Sequence, residues 1–307
     1  MRRLQSLTFK QLRALDSVAA TGSISRAAEM LLLTPPAVHS QLKALEANFG
    51  CDMLQRDSHG RFILTGEGTA LLDAYRRAQA DLRMAVQRID ALGKGLAGTV
   101  VLGVVSTGKY FAPGLVAQLR QTHPDIEVVL KVGNRNTIIS ALEDRAIDLA
   151  IMGRPPRMPA VTAYVIGDHP HVLVVPPEHQ LLSAPRIDPE DILNEPFILR
   201  EDGSGTRILC MRFLDRIGGG QPYESVEMGS NETIKQAVIA GLGIALISFH
   251  TVTEELRAGR LIAPVVKDIP IMRSWFVLHR QDQSLPGATK RVLDFIRAQK
   301  DGFLPKL

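Results

Sequence analysis

Apolar residues recur at helical spacing from the start of the chain: Phe9, Leu12, Leu15 and Ala19, then Ile24, Ala27, Ala28 and Leu31, then Val38, Leu42, Leu45 and Phe49. The spacing predicts three short amphipathic helices, each with one inward stripe. Thr8 with Gln11 three residues on forms a capping box for the first, Leu7 and Leu12 stand at the positions of a hydrophobic staple, and Thr21-Gly22 ends it. Ser23 caps the second. A residue before proline avoids the α region, so the second helix must stop before Pro35. Thr34 then caps the third helix, with Pro35 and Pro36 in its first turn, where a missing N–H costs little. Neither proline has a donor, so the Thr34 hydroxyl is expected to bind the N–H of Ala37. The result is a tight corner between two short helices, as a helix-turn-helix requires.

The pattern next alternates like a strand pair around Ser58-His59-Gly60, a turn signal. Two short strands directly after the third helix would make a wing. From Thr69 to Leu92 the chain lacks proline and glycine, and Leu71, Tyr75, Ala78, Leu82, Ala85, Ile89 and Leu92 follow a heptad seam. Arg76, Arg77, Arg83 and Arg88 lie off it. A helix of this length spans roughly 35 Å, and the seam predicts a dimerising coiled coil rather than a helix buried all round.

Beyond the hinge-like Gly93, Gly95 and Gly98, strand and helix patterns alternate in two successive series. "TVVLGVV", "IEVVLKV" and "IDLAIMG" make the first, with helices near 110–122 and 137–145. "HVLVVPP", "PFILRED", "SVEM" and "GIALIS" make the second, with "TRILCMRFLDRI" and "ETIKQAVIAG" as helices. "WFVLHR" and a helix over 288–299 close the chain. Such alternation implies parallel sheets with helices on their faces, here in two α/β subdomains separated by a cleft. The expected domains are a winged helix-turn-helix over 1–66, a linker helix over 67–95, and 96–307 as two subdomains, 96–165 plus 268–307 and 166–267.

Composition changes this picture in three places. The 307 residues suit two or three domains, and no apolar run reaches the ~18 residues of a membrane helix. "MRRLQSLTFKQ" shows no apolar leader or cleavage site, so a cytoplasmic protein is expected. The net charge of +4 is uneven: residues 1–95 hold 13 Lys+Arg against 9 Asp+Glu, and the remainder holds 23 of each. A positive N-terminal third favours a polyanion. Cys51 and Cys210 are the only cysteines and fall in different predicted domains, which fits buried structural thiols in a reducing compartment and no metal site.

Candidate DNA contacts are the hydrogen-bonding residues around the corner and wing: Ser23, Ser25, Arg26, Thr34, Pro35, Pro36, His39, Ser40, Gln41, Lys43, Arg56 and Arg61. His39, Ser40, Gln41 and Lys43 face outward on the third helix and are long enough to reach base edges or phosphates. Arg56 and Arg61 flank the wing tip and suit backbone contacts. In α/β folds ligands sit at carboxyl ends of strands beside helix starts. Ser106, Thr107, Lys109, Asn134, Arg135, Arg154, Arg200, Ser204, Thr206, Arg207, Asn231 and Thr233 all fall there. Hydroxyls and backbone N–H groups with arginines nearby suit an anionic small molecule, although any one Ser, Thr or Asn can equally be an ordinary helix cap. No cofactor motif and no catalytic constellation is present, so no enzymatic activity is expected. His169, His171, His250 and His279 read as structural or surface residues.

"LRALDSVAATGSISRAAEMLLLTPPAVHSQLKALEANFGCDMLQRD" followed by "LTGEG" resembles the LysR-type transcriptional regulators, and the likeness extends over essentially the whole chain. The family commonly carries "TQPAVS" in the turn. Pro35 and His39 depart from that pattern, which touches the base contacts and not the fold. "VSTGKYFAPGLVAQL", "VGNR", "DLAIMGRPP", "GSGTR" and "GSNETIKQAVIAGLGIALIS" are similar to the CbbR-type regulators of Calvin-cycle (RuBisCO operon) genes. The resemblance implies a winged helix-turn-helix joined to a two-subdomain, periplasmic-binding-protein-like effector domain. It further implies an activator of carbon-fixation genes that binds promoter DNA and responds to an anionic co-inducer such as a sugar phosphate or nucleotide. The implied protein partners are a second copy of the chain, in a homodimer or homotetramer, and RNA polymerase. A LysR-type regulator of another pathway is the alternative reading. An enzyme or solute-binding protein built on the α/β lobes would leave residues 8–92 without a role.

Overall fold

The computed structural model describes residues 2–94 and 97–306; Gly95 of the expected hinge lies outside the described residues, as do the side chains of Arg88 and Leu92. The chain forms two compact units, residues 1–83 and 84–307.

The first unit comprises α1 (Arg2–Gln5), α2 (Phe9–Thr21), α3 (Ile24–Leu31), α4 (Pro35–Phe49), β1 (Leu54–Arg56), β2 (Phe62–Leu64) and the start of α5 (Gly66–Lys94). The Thr8–Gln11 capping box is present, and Gly22 closes α2 in the left-handed region at φ 68°. Thr34 accepts from the N–H of Ala37 at 3.4 Å at the start of α4. Leu32, also left-handed at φ 57°, turns the chain out of α3 before the prolines are reached. The core gathers Leu12, Ala14, Leu15 and Val18 of α2, Ala27 and Ala28 of α3, and Val38, Leu42 and Leu45 of α4. Phe9, expected inside, is instead about half exposed and meets Tyr75 edge-on at 5.7 Å. β1 and β2 pair antiparallel, Gln55 opposite Ile63, and make the wing.

α5 changes neighbours along its length. Leu72, off the expected seam, and Tyr75, on it, are buried in the core of the first unit, whereas the seam residue Leu71 is only partly buried. Further on, Leu82, Val86 and Ile89 stand 51%, 56% and 66% exposed. They form an apolar row on a helix of 29 residues, about 43 Å long.

In the second unit a five-stranded sheet runs in the order β4 (Ile126–Gly133), β3 (Gly98–Val105), β5 (Leu149–Met152), β11 (Ser274–Arg280) and β6 (Val161–Asp168). A 3₁₀ turn (Ser106–Tyr110) and α6 (Ala112–Thr122) follow β3, and α7 (Arg135–Glu143) follows β4. α6 and α12 (Gly287–Gln299) cover one face through Leu115, Leu119, Val292 and Ile296, and α7 covers the other through Ile138 and Leu142. The sheet is mixed, not wholly parallel as expected. β3 is parallel to β4 and β5, but β11 runs antiparallel to β5 and β6, because it is the chain's return from the second lobe.

That lobe holds β7 (His171–Val174), α8 (Pro189–Leu193), β8 (Phe197–Arg200), α9 (Gly205–Gly218), β9 (Ser225–Met228), α10 (Asn231–Ile239), β10 (Ala245–Ser248) and α11 (Phe249–Arg257). β8 and β9 are parallel, while β7 and β10 are antiparallel. Two strand connections cross between the lobes side by side. His169 N–H donates to the Arg273 carbonyl at 2.7 Å, and Ile271 N–H to that of His171 at 2.9 Å. Cys210 is buried, which pushes its thiol up to about 12; Cys51 is only partly buried, and both are free.

Candidate functional site

The helix-turn-helix and wing present one polar surface. Ser25, Arg26, Thr34, Pro35, Pro36, His39, Ser40 and Lys43 are exposed, and Ser23 and Gln41 are partly so. Lys43 is tied at 2.9 Å to Glu46, one turn along α4. Arg61 and Arg26 border a single depression with Thr21, Gly22 and Ser23 at the start of α3. Ser23 makes no side-chain cap there, so the first turn of α3 keeps its donors. Arg56 is exposed but occupied: its guanidinium donates to the Gly60 carbonyl and lies 4.3 Å over the Phe62 ring, bracing the wing. Asp57, which the sequence reading passed over, accepts from the N–H groups of His59 and Arg61, each at 2.9 Å, and sets the wing tip.

In the second unit a cleft of about 100 Å³ opens between the lobes. Six of the predicted residues line it: Ser106, Thr107, Arg135, Arg154, Ser204 and Thr206. Thr107, Ser204 and Thr206 are buried, and Ser204 opens α9 without capping it. Arg135 reaches across to the carbonyls of Arg154 and Pro155; burial, and secondarily the Arg154 charge, pull its guanidinium below its ordinary value. Among the described residues no carboxylate lines the cleft.

The other six do not line it. Lys109 pairs with Glu232 at 2.6 Å, and Tyr110 donates to the same carboxylate. The bound Lys109 and Tyr110 offset the cost of burial and hold Glu232 down at about 2. Arg200 is buried against Glu201, Asn231 and the Ser106 hydroxyl, the last at 3.1 Å across the lobes. Arg207 bonds Glu227 at 2.7 Å, Asn134 caps α7, and Thr233 lies against Ser230.

Among the lining residues not foreseen as such are Arg212, Arg273, His169 and His171. Three of the histidines read as structural or surface residues cluster beside Trp275. His169 stacks on Trp275 at 3.8 Å, His171 is 4.3 Å from His169, and the Trp275 indole donates to Nδ1 of His250 at 3.0 Å. Burial holds His169 well below the ordinary imidazole value, His171 at about 3 and His250 at about 4. Neutral rings therefore back the arginine-lined cleft. Among the described residues no group of His, Cys, Asp and Glu is placed to hold a metal, and no helix is long and apolar enough to cross a membrane.

Residues 9–69 match the bacterial regulatory helix-turn-helix proteins of the lysR family, and residues 93–301 match the LysR substrate binding domain. The chain belongs to the LysR family. It is 46% identical to the HTH-type transcriptional regulator CbbR of Cereibacter sphaeroides, over 99% of each chain. The regulatory domain of CcmR from Synechocystis, solved in complex with 2-PG, is 33% identical over 66% of this chain and 97% of its own, with a TM-score of 0.62. Full-length CbnR complexed with its target DNA shares the fold at 20% identity and a TM-score of 0.70, covering 95% of this chain and 99% of that one. The LysR-type architecture makes the first unit the DNA-binding head and the second a small-effector domain, and the chain is a transcriptional regulator, not an enzyme.

A duplex phosphate on the head is expected to lie in the depression between Arg26 and Arg61. Replacing both with Ala should weaken specific and random duplex alike. It should also flatten the dependence of log affinity on log salt by about 1 per lost contact. Anisotropy titrations from low to moderate salt read this directly; an unchanged slope would place the phosphate elsewhere.

Proposed function

We propose that this LysR-type regulator activates Calvin-cycle (RuBisCO operon) genes when an anionic, phosphorylated metabolite enters the cleft between its lobes. Full-length similarity to CbbR of Cereibacter sphaeroides supports the target genes. The observation behind the effector class is the lining of the cleft, where hydroxyls and arginines stand without a carboxylate. The similarity to a regulatory domain solved with 2-PG points the same way. A homodimer formed through α5, paired further into a tetramer, would set two heads on one operator, with RNA polymerase as the next partner. Effector binding would shift the lobes, change the spacing of the heads and so alter DNA bending.

A gel-shift on its own divergent promoter should give a partly symmetric site whose occupancy falls as salt rises. Ala at His39 or Gln41 should cost about 1–3 kcal/mol per lost base contact and leave effector binding alone. Thr107→Val and Arg154→Met should abolish the effector response while DNA affinity persists. Trp275, the only tryptophan in the chain, stacks on a ring that lines the cleft, so its fluorescence reports occupancy without a label. Sugar phosphates and nucleotides that leave both the fluorescence and the gel-shift unmoved would refute the effector reading.

A further inference from the structure

The 3₁₀ turn Ser106–Tyr110 belongs to the first lobe, yet the second lobe holds it at both ends. At its start the Ser106 hydroxyl accepts from the buried Arg200 of β8 at 3.1 Å. At its end Lys109 and Tyr110 both bind the Glu232 carboxylate of α10. One helical turn further along α10, the Lys235 ammonium lies 4.9 Å over the Tyr110 ring and is itself tied at 2.8 Å to Glu255 of α11. Tyr110 therefore sits in a socket that α10 and α11 build. Burial pushes its phenol up, so the proton stays on the donor, and Glu232 stays ionised down to about 2. Between the two clamps stands Thr107, buried and lining the cleft beside Ser106.

We infer that Glu232 is a positioning residue for effector binding: from the second lobe it sets the turn that presents Ser106 and Thr107 on the first lobe's side of the cleft. A 3₁₀ turn of five residues has poorer hydrogen-bond geometry than an α-helix, so its shape depends on what clamps it. The part-exposed Lys109 pair alone contributes little. The hold comes from one carboxylate shared by two donors, one of them a phenol withdrawn from water. Parting the lobes releases the clamps and lets the two hydroxyls lose their alignment; bringing the lobes together rebuilds the turn. Capture of a ligand and closure of the lobes are then a single event. The inference rests on the proposal that the effector occupies the cleft, but its test adds no ligand, so either can fail alone.

Amide hydrogen exchange of the full chain, read by mass spectrometry, compares the turn with α12, which packs in the same lobe. Glu232→Ala should speed exchange over residues 106–111 by at least about tenfold, the effect of losing a charge-assisted bond. Exchange over 287–299 and the melting temperature should change little. Glu232→Gln keeps an oxygen for the Tyr110 hydroxyl and loses only the ion pair, so it should give a smaller rise, and it carries the test if the alanine variant does not fold. Tyr110→Phe should also speed the turn. Adding it to Glu232→Ala should bring nothing further, because two partners of one bond do not act independently. Unchanged exchange in the turn, a rise shared equally by α12, or effects of Glu232→Ala and Tyr110→Phe that multiply would each remove the positioning role.

Discussion

Charging the exposed row on α5 should abolish both dimerisation and operator binding. Leu82, Val86 and Ile89 are more than half exposed although the same helix buries Leu72 and Tyr75 completely or nearly so in the first unit. Each such side chain covered by a partner contributes about 1.5–3 kcal/mol, and a symmetric pairing counts every one twice. L82E/I89E would bring four carboxylates into that seam, where like charges repel and lose hydration. Sedimentation velocity should then show a monomer. Linked heads gain a factor of about 10²–10⁴ from bivalency, and anisotropy on promoter DNA should lose affinity on that scale. Effector-induced Trp275 fluorescence should persist, since the cleft lies in the second unit. A variant that stays dimeric would assign self-association to another surface.

Mild acid should destabilise the effector domain well before its carboxylates titrate. Burial lowers His169, His171 and His250 in the folded state, whereas the unfolded chain takes up protons near 6.5. For such groups stability is complete above about 6.5 and falls as pH drops, by roughly 1.4 kcal/mol per pH unit per histidine, until the folded values are reached. Those lie at about 4 for His250 and about 3 for His171. Arg273 adds to the lowering of His169 and His171, and Asp168 opposes that of His250. Protonating Nδ1 of His250 would also end the bond it accepts from Trp275. Denaturant melts between pH 7 and 4.5 should show the steep loss, and His171→Phe should flatten it whatever its effect on absolute stability. Level stability down to pH 5 would contradict the buried neutral state. Glu232 has the lowered value of a paired carboxylate, so its share is lost only lower, as pH falls from the ordinary carboxylate range toward about 2.

What could be read from residue order was local. The Thr8 box, the Pro35-Pro36 corner and the wing turn each depend on side chains within four positions, and all are present as read. Phe9 and Leu71 show the limit even there, because helical spacing names a face but not what lies opposite it. The strand directions of the second unit depend on β11, which returns after the whole second lobe to run antiparallel to β5 and β6. The histidine cluster joins positions 169, 171, 250 and 275, and no short-range pattern links them. The cleft was half legible. Residues at strand ends and helix starts were found by position, but half of them do not line the cleft and bond to other residues, as Arg200 and Lys109 do. Arg212, by contrast, lies inside α9, and Arg273 directly precedes β11, at the amino end of a strand and not the carboxyl end.

The doubled proline at the start of α4 also limits what that helix can offer a duplex backbone. Neither Pro35 nor Pro36 has a hydrogen to offer, and the amides of Ala37 and Val38 both turn back to Thr34. Were α4 to enter the groove as proposed, its leading end would offer no free amide to phosphate. Anchorage would then fall to α3 and the wing.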